Sequence, residues 1–438
     1  MNFSQIIMVL AIMSIWIATG LGLMILFSAT HFWLTSIKKE RQKVFRLATY
    51  PKVTVVVPAH NEDVVIAQTV EAILNLNYPK EQLELLLYAD NCEDDTYDQI
   101  KSVVSLPQYQ HIDATVIQRT GTGGKAGVLN DALKIATGEW ICVYDADAMP
   151  EKNALHFLVE KSLENPEKYA AVFGRNKTRN YKQNFLTRCI NLEIVNTQRI
   201  HHVGLWHLFK IGRIPGTNFI IKTSFVKQIG GWDNGALTED TAISFKIMQS
   251  GKLIALAHNS EAFQQDPETL SAYYQQRKRW AKGNYQVILD NFKHLFDRSV
   301  WRIKWEVFYY ISTFFWFNAA IVISDVIFVV NMVTWGISIF NPSVHILFTI
   351  GSNNVELANL LMINWFLMVG IYLLQINIAL ASQFGQLTVK NLLVAIISYI
   401  TYAQLFIVVS VVSVISVLLD HILHRDGTKW YKTKRFGD

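Results

Sequence analysis

Apolar positions run almost unbroken at both ends of the chain and alternate with polar ones between them. From Met1 to Ile37 there is no Asp, Glu, Lys or Arg, and Ile6 to Phe27 exceeds the roughly 20 residues a helix needs to cross a bilayer. This predicts a membrane-spanning helix over 1–37. A cleaved leader is the competing reading, but the apolar core is longer than the usual ~7–15 residues and no basic residue precedes it. Three more apolar blocks follow residue 300: Trp305–Phe340, Leu357–Ala381 and Leu392–Leu419. Between 47 and 300 the period changes. Val53–Val57, Leu83–Tyr88, Ala114–Ile117 and Trp140–Tyr144 read as buried strands, each followed by a turn signal and a helical period. Such alternation predicts an α/β domain with a parallel sheet, whose ligands sit beyond the carboxyl ends of the strands.

Charge adds an orientation. Lys38-Lys39-Glu40-Arg41-Gln42-Lys43 follows the first span, and cationic flanks prefer the cytoplasm, so the 47–300 domain is expected there. The loop 341–354 holds no Lys or Arg, as an external loop should, yet the tail 421–438 is basic and expected inside. Three simple crossings over 301–420 would leave that tail outside. Either the first block, roughly 54 Å if helical, holds an interfacial helix and a span, or two spans, or the last block is a re-entrant hairpin. With 51% hydrophobic and 17% charged residues the composition agrees with membrane spans beside a folded domain. The net charge of +5 is modest and its clusters flank the membrane, so lipids are expected partners and nucleic acid is not. Cys92, Cys142 and Cys189 lack metal-like spacing and read as free thiols.

Chemistry gathers where the strands stop. Strand one ends in Pro58-Ala59-His60-Asn61-Glu62, strand two in Ala89-Asp90-Asn91-Cys92 and strand four in Asp145-Ala146-Asp147. Gly121-Thr122-Gly123-Gly124-Lys125-Ala126-Gly127 lies between strands three and four. Acidic strand ends beside a glycine-rich turn with a lysine suit a polyphosphate held through a divalent cation, which takes carboxylate and phosphate oxygens. On an extended segment Asp145 and Asp147 point the same way. A solvated turn is the plainer reading of that pair taken alone. A P-loop is not expected, because Arg119 stands where its first Gly should be and Ala126 follows the Lys.

Two later motifs, Leu237-Thr238-Glu239-Asp240-Thr241 after Gly230-Gly231-Trp232-Asp233, and Gln276-Arg277-Lys278-Arg279-Trp280, complete an ordered set. The chain thereby resembles the membrane-embedded processive family 2 glycosyltransferases, the group of cellulose, chitin, hyaluronan and poly-N-acetylglucosamine synthases. That resemblance implies a GT-A-type, Rossmann-like α/β domain that binds a UDP-sugar on the cytoplasmic side of a bacterial cell membrane. By it, Asp90 and the segment with Pro58, His60 and Glu62 hold uridine, with Lys125 near the base or diphosphate. Asp145 contacts the nucleotide and, with Asp147, a Mg²⁺ or Mn²⁺ ion. Asp240 is the general base, and Thr238, Glu239, Gln276, Arg279 and Trp280 meet the diphosphate and the acceptor. The acceptor is a growing glycan or a lipid, with export proteins as candidate accessories.

Pro267-Glu268-Thr269-Leu270 signals a helix start. On that helix Gln276, Arg279 and Trp280 share one face, whereas Arg277 and Lys278 turn away, free to meet headgroups. The chain departs from the family where Asp90-Asn91-Cys92 replaces Asp-Gly-Ser, and Ile214-Pro215-Gly216-Thr217-Asn218-Phe219 occupies the place of an acceptor-side loop. Glu193 reads equally as acceptor-facing or solvated, His201-His202 as no metal pair, and Phe314-Phe315-Trp316-Phe317 as an interface belt. Gly174–Asn180 and the single N-terminal span look most like the poly-N-acetylglucosamine type. Three functions compete: polymer synthesis with export, single transfer to a membrane lipid, and a transporter or scaffold whose domain only binds nucleotide.

Overall fold

The structure is a computed structural model, and it describes residues 3–40, 47–296, 300–312, 318–341 and 355–423. Eight strands form one sheet: β1 (Val53–Ala59), β2 (Leu83–Asp90), β3 (Asp113–Arg119), β4 (Trp140–Val143), β5 (Met149–Pro150), β6 (Tyr169–Thr178), β7 (Phe219–Lys222) and β8 (Leu253–Gln264). Their spatial order is β3-β2-β1-β4-β7-β6-β8-β5. The β-branched and leucine runs of β1 and β2 are buried on both faces, as central strands covered by helices must be.

The four expected strands pair in parallel, and the sheet then turns mixed, because β7 runs antiparallel to both β4 and β6. Register positions the strand ends. Ala59 pairs with Ala89, and Asp90 with Arg119, so the segments after β1, β2 and β3 emerge side by side. β4 stops at Val143, opposite Val56, and releases the Asp145 segment beside them.

Three described helices are long and apolar enough to cross a membrane, at Ile12–Thr35, Ile363–Ala381 and Tyr402–Asp420. The first block after residue 300 is divided into Trp301–Ile311 and Asn318–Phe340. In the shorter helix Ile303, Glu306 and Val307 are buried while Trp301 and Trp305 are exposed, so it lies with one face on the protein. The last block is divided at Thr401 into Val389–Ile400, roughly 18 Å long and too short to span, and the helix Tyr402–Ile422. Residues 342–354, the aromatic run 314–317 and most of the basic tail, on which the external-loop, belt and cytoplasmic-tail expectations rest, lie outside the described residues.

The apolar helices are bonded to the sheet domain. Ser28 donates to the Gly204 carbonyl at 2.9 Å, and Trp33 Nε1 to that of Arg199 at 2.8 Å. After the Val355–Ala381 helix, buried Gln383 accepts from Arg175 at 3.0 Å and Arg199 at 3.1 Å.

Candidate active site

Asn61 and Asn91 turn the chain out of β1 and β2 with φ of +54° and +49°, a region asparagine tolerates better than most residues. His60 Nδ1 lies 2.7 Å from the Asp90 carbonyl, which sets the proton on that nitrogen. The buried Glu62 anchors its own N–H on Thr96 Oγ1 at 2.7 Å. Arg119 closes this side: it pairs with Asp90 at 2.6 Å and Asp131 at 2.7 Å. Asp90 therefore sits, buried, in an ion pair that the register of β2 and β3 makes unavoidable.

Lys125 occupies the centre. It stands in the first turn of the helix Gly124–Ile135, which starts after Gly123 in the left-handed region (φ +83°). Its ammonium donates to the Gly216 carbonyl at 2.6 Å and pairs with Asp145 at 2.6 Å and Glu239 at 3.2 Å. Burial alone would lower its pKa, but Asp145, Glu239 and Asp240 outweigh that and hold it well above the ordinary lysine range.

Asp240 lies in the first turn of the helix Glu239–Gln249 and takes the Thr241 N–H at 2.7 Å. Desolvation and the neighbouring Glu239 push its carboxyl up to about 7, with Lys125 pulling the other way. Gly216, at φ +83°, faces it closely: a Cβ there would stand 3.0 Å from Asp240 Oδ2. A side chain at 216 would thus be strained and would press on this carboxylate.

Asp145 and Asp147 are not on an extended segment. Ala148 N–H returns to the Asp145 carbonyl at 2.9 Å, closing a turn, so the argument that alternation aims both side chains alike fails. Asp145 goes to Lys125, whereas buried Asp147 raises the pKa of Asp266. Asp266 is fully buried and is pushed up to about 6, chiefly by desolvation; its Oδ2 has no hydrogen-bond partner among the described residues. Asp147 and Asp266 are hard oxygen donors of the kind Mg²⁺ or Mn²⁺ takes, with phosphate oxygens completing the shell. Among the described residues no three His, Cys, Asp or Glu side chains gather as a metal cluster.

The helix Leu270–Asn291 begins where expected, Thr269 Oγ1 accepting the Ala272 N–H at 3.3 Å. It lies against the Thr238 segment at Gly283, where a Cβ would meet Thr238 Cγ2 at 2.5 Å. Gln276 is buried, and among the described residues neither its Oε1 nor Thr238 Oγ1 has a hydrogen-bond partner. Arg279 and Trp280 are half-buried. The expectation for Arg277 is overturned. Instead of facing headgroups it is 3% exposed, bonded to Glu193 at 3.2 Å and stacked 4.3 Å from the Trp280 ring centre. Glu193 also accepts the Tyr402 phenol, so it is not simply solvated. Lys278 stays half-buried.

A family model described as glycosyltransferase-like family 2 matches residues 51–283, which contain every strand end and motif above. The chain belongs to the family 2 glycosyltransferases. It is a hexosyl-transferring enzyme, and 35% identity joins it to the Bacillus subtilis protein named probable glycosyltransferase YdaM, over 92% of this chain and 90% of that one. A β-monoglucosyldiacylglycerol synthase of Trichormus variabilis is 29% identical over 60% of this chain and 56% of its own length. A poly-β-1,6-N-acetyl-D-glucosamine synthase of Staphylococcus epidermidis is 28% identical over 59% of both. The match thus spans little more than half the length of these two relatives. The Pyrobaculum calidifontis mannosyltransferase solved with GDP-Man and Mn²⁺ shares the fold, with a TM-score of 0.55, 16% identity, and coverage of 90% of this chain and 99% of that one.

The transferase brings Asp145, Glu239 and Asp240 together on Lys125, and Asp90 beside His60. It also places Asp147 close enough to Asp266 to raise the pKa of that carboxyl. Arg119, Asp266 and Tyr402 were missed by sequence reasoning. Arg119 had a signal in the strand register, and Asp266 in its place two residues after β8. Tyr402 had none, since it lies more than a hundred residues from the motif it reaches.

Proposed function

We propose that this transferase is an inverting enzyme that polymerises a UDP-sugar, UDP-N-acetylglucosamine or a close relative, into a β-linked polysaccharide and passes it across the membrane. The observation that carries the chemistry is the place of Asp240 against Gly216, whose carbonyl holds the Lys125 ammonium, where burial and Glu239 push the Asp240 carboxyl up to about 7. A base of that pKa is deprotonated often enough at neutral pH to act and basic enough to take a proton. Asp240 removes the proton of an acceptor hydroxyl, the oxygen attacks the anomeric carbon, and the bond from that carbon to the diphosphate breaks. Asp90 and the Pro58–Glu62 segment, with His60, hold the uridine, and Asp145 contacts the nucleotide. Asp147, with Asp266 and Asp145 near it, would hold a Mg²⁺ or Mn²⁺ ion, which when bound neutralises charge on the departing diphosphate. Gln276, Arg279 and Trp280, with Thr238 and Glu239, line the diphosphate and acceptor side.

Polymerisation is favoured by the Gln276–Trp280 motif and by the apolar helices packed behind it. A second reading, one transfer to a membrane lipid, is favoured by the likeness to the β-monoglucosyldiacylglycerol synthase. Radiolabelled UDP-N-acetylglucosamine given to the full chain in membranes, followed by product sizing, separates them. A ladder of long products supports polymerisation, and a single labelled lipid supports the second reading. Asp240→Asn is expected to cut transfer about 10²–10⁴-fold with UDP binding kept; a variant that transfers at the wild-type rate removes Asp240 from the mechanism, as the nucleotide-binding scaffold reading requires.

A further inference from the structure

Four residues from three distant segments meet behind the Trp280 indole. Arg277 lies with its guanidinium 4.3 Å from that ring and 5.3 Å from the ring of Tyr273. Glu193, on the helix Phe185–Asn196, takes a bond from Arg277 at 3.2 Å. Tyr402, the first residue of the Tyr402–Ile422 helix, is 8% exposed and donates its phenol to the same carboxylate. Its ring packs 5.2 Å from Tyr273.

A buried guanidinium is costly unless it is paired, so the Glu193 carboxylate determines where Arg277 rests. Arg277 in turn lies over one face of the Trp280 ring, 4.3 Å from its centre, and restricts how that ring can turn. A planar cation on an aromatic face is a specific arrangement, and lysine would not reproduce it.

We propose that Glu193 and Tyr402 are positioning residues for the acceptor side: they hold Arg277 on Trp280, so the C-terminal helix sets the orientation of the motif. This rests on the reading of Trp280 as part of the acceptor site. Among the described residues the bonds of Glu193 and Tyr402 run to each other and to Arg277, whereas those of Lys125 run to Asp145, Glu239 and Gly216.

The test uses the full chain in detergent with UDP-N-acetylglucosamine, a soluble N-acetylglucosamine oligosaccharide as acceptor probe, and the variants Tyr402→Phe, Glu193→Gln and the double variant. UDP released by hydrolysis without acceptor is measured beside transfer to the probe. Tyr402→Phe is expected to lower transfer about tenfold, the scale of one hydrogen bond to a charged group, with hydrolysis unchanged. Because both residues act through one carboxylate, the double variant should fall no further than Glu193→Gln. Hydrolysis and transfer falling in parallel, or losses that multiply, would overturn the proposal, since damage to packing alone gives that pattern. A wild-type chain that releases UDP but never modifies the probe sinks the acceptor reading of Trp280, and this inference with it.

Discussion

The two sides of the cleft are built differently. The side proposed to bind the donor is built at the ends of adjacent parallel strands, with Asp90, Arg119 and Asp145 on or just after them and Lys125 in the first turn of the helix that follows β3. The motif side is held by side chains from segments far apart in the chain: Arg277 with Glu193 and Tyr402, and Arg213 with Glu306 of the Trp301–Ile311 helix. A strand end is fixed by its ladder, whereas the Leu270–Asn291 helix is seated by apolar packing together with side-chain bonds that one substitution can remove. Errors on the donor side should therefore act through charge, and errors on the motif side through position.

Lys125→Met makes the strongest demand on that contrast. It leaves Asp145, Glu239 and Asp240 facing one another without their cation. Transfer should fall about 10²–10³-fold, the scale of losing a preorganised charge in a reacting site. The sign in pH follows from the same charges. With Asp240 as the proposed base, which acts only when ionised, activity is expected to rise with pH through about 7. Lys125 lowers that pKa and Glu239 raises it, so Lys125→Met should move the acid limb to higher pH and Glu239→Gln to lower pH. A pH–rate profile that ignores both substitutions would show that charge does not govern the donor side.

Gly283→Ala addresses position. An added methyl would start 2.5 Å from Thr238 Cγ2, so the Leu270–Asn291 helix must back away from the Thr238-Glu239-Asp240 segment. Misplacement on the order of 1 Å costs up to roughly 10²-fold in rate, and a loss of about 10–100-fold in transfer is expected with UDP affinity unchanged. Equal loss of UDP affinity, measured by calorimetry, would mean that the two sides are not separable.

The same contrast explains what could be read from the chain. The four parallel strands were legible because each is a short apolar run with a turn after it, and their polar ends fall where such sheets bind ligands. The shared face predicted for Asp145 and Asp147 failed because β4 ends at Val143 and the chain turns at once. Arg277 was misplaced because helical spacing says which residues share a face but not what covers the other. That face meets Glu193 and Tyr402, and no local pattern announces a partner so far along the chain. The mixed half of the sheet escaped notice for a related reason: β7 is four residues long and its direction is set by β4 and β6.

The smallest effect is expected at Lys282, which pairs with Asp420 at 2.5 Å on the same two helices that Arg277 and Tyr402 join. The two contacts differ in what surrounds them. The Arg277 guanidinium is buried and stacked, so losing its partner leaves a charge without solvent. The Lys282 and Asp420 side chains keep 17% and 24% of their surface exposed, so water still reaches in part a charge that loses its partner. Lys282→Ala should therefore change transfer by less than about twofold and leave the melting temperature within a degree or two. A tenfold loss there would mean that the motif helix is seated by its whole contact with the C-terminal helix, and the special place given to Glu193 and Tyr402 would have to be surrendered.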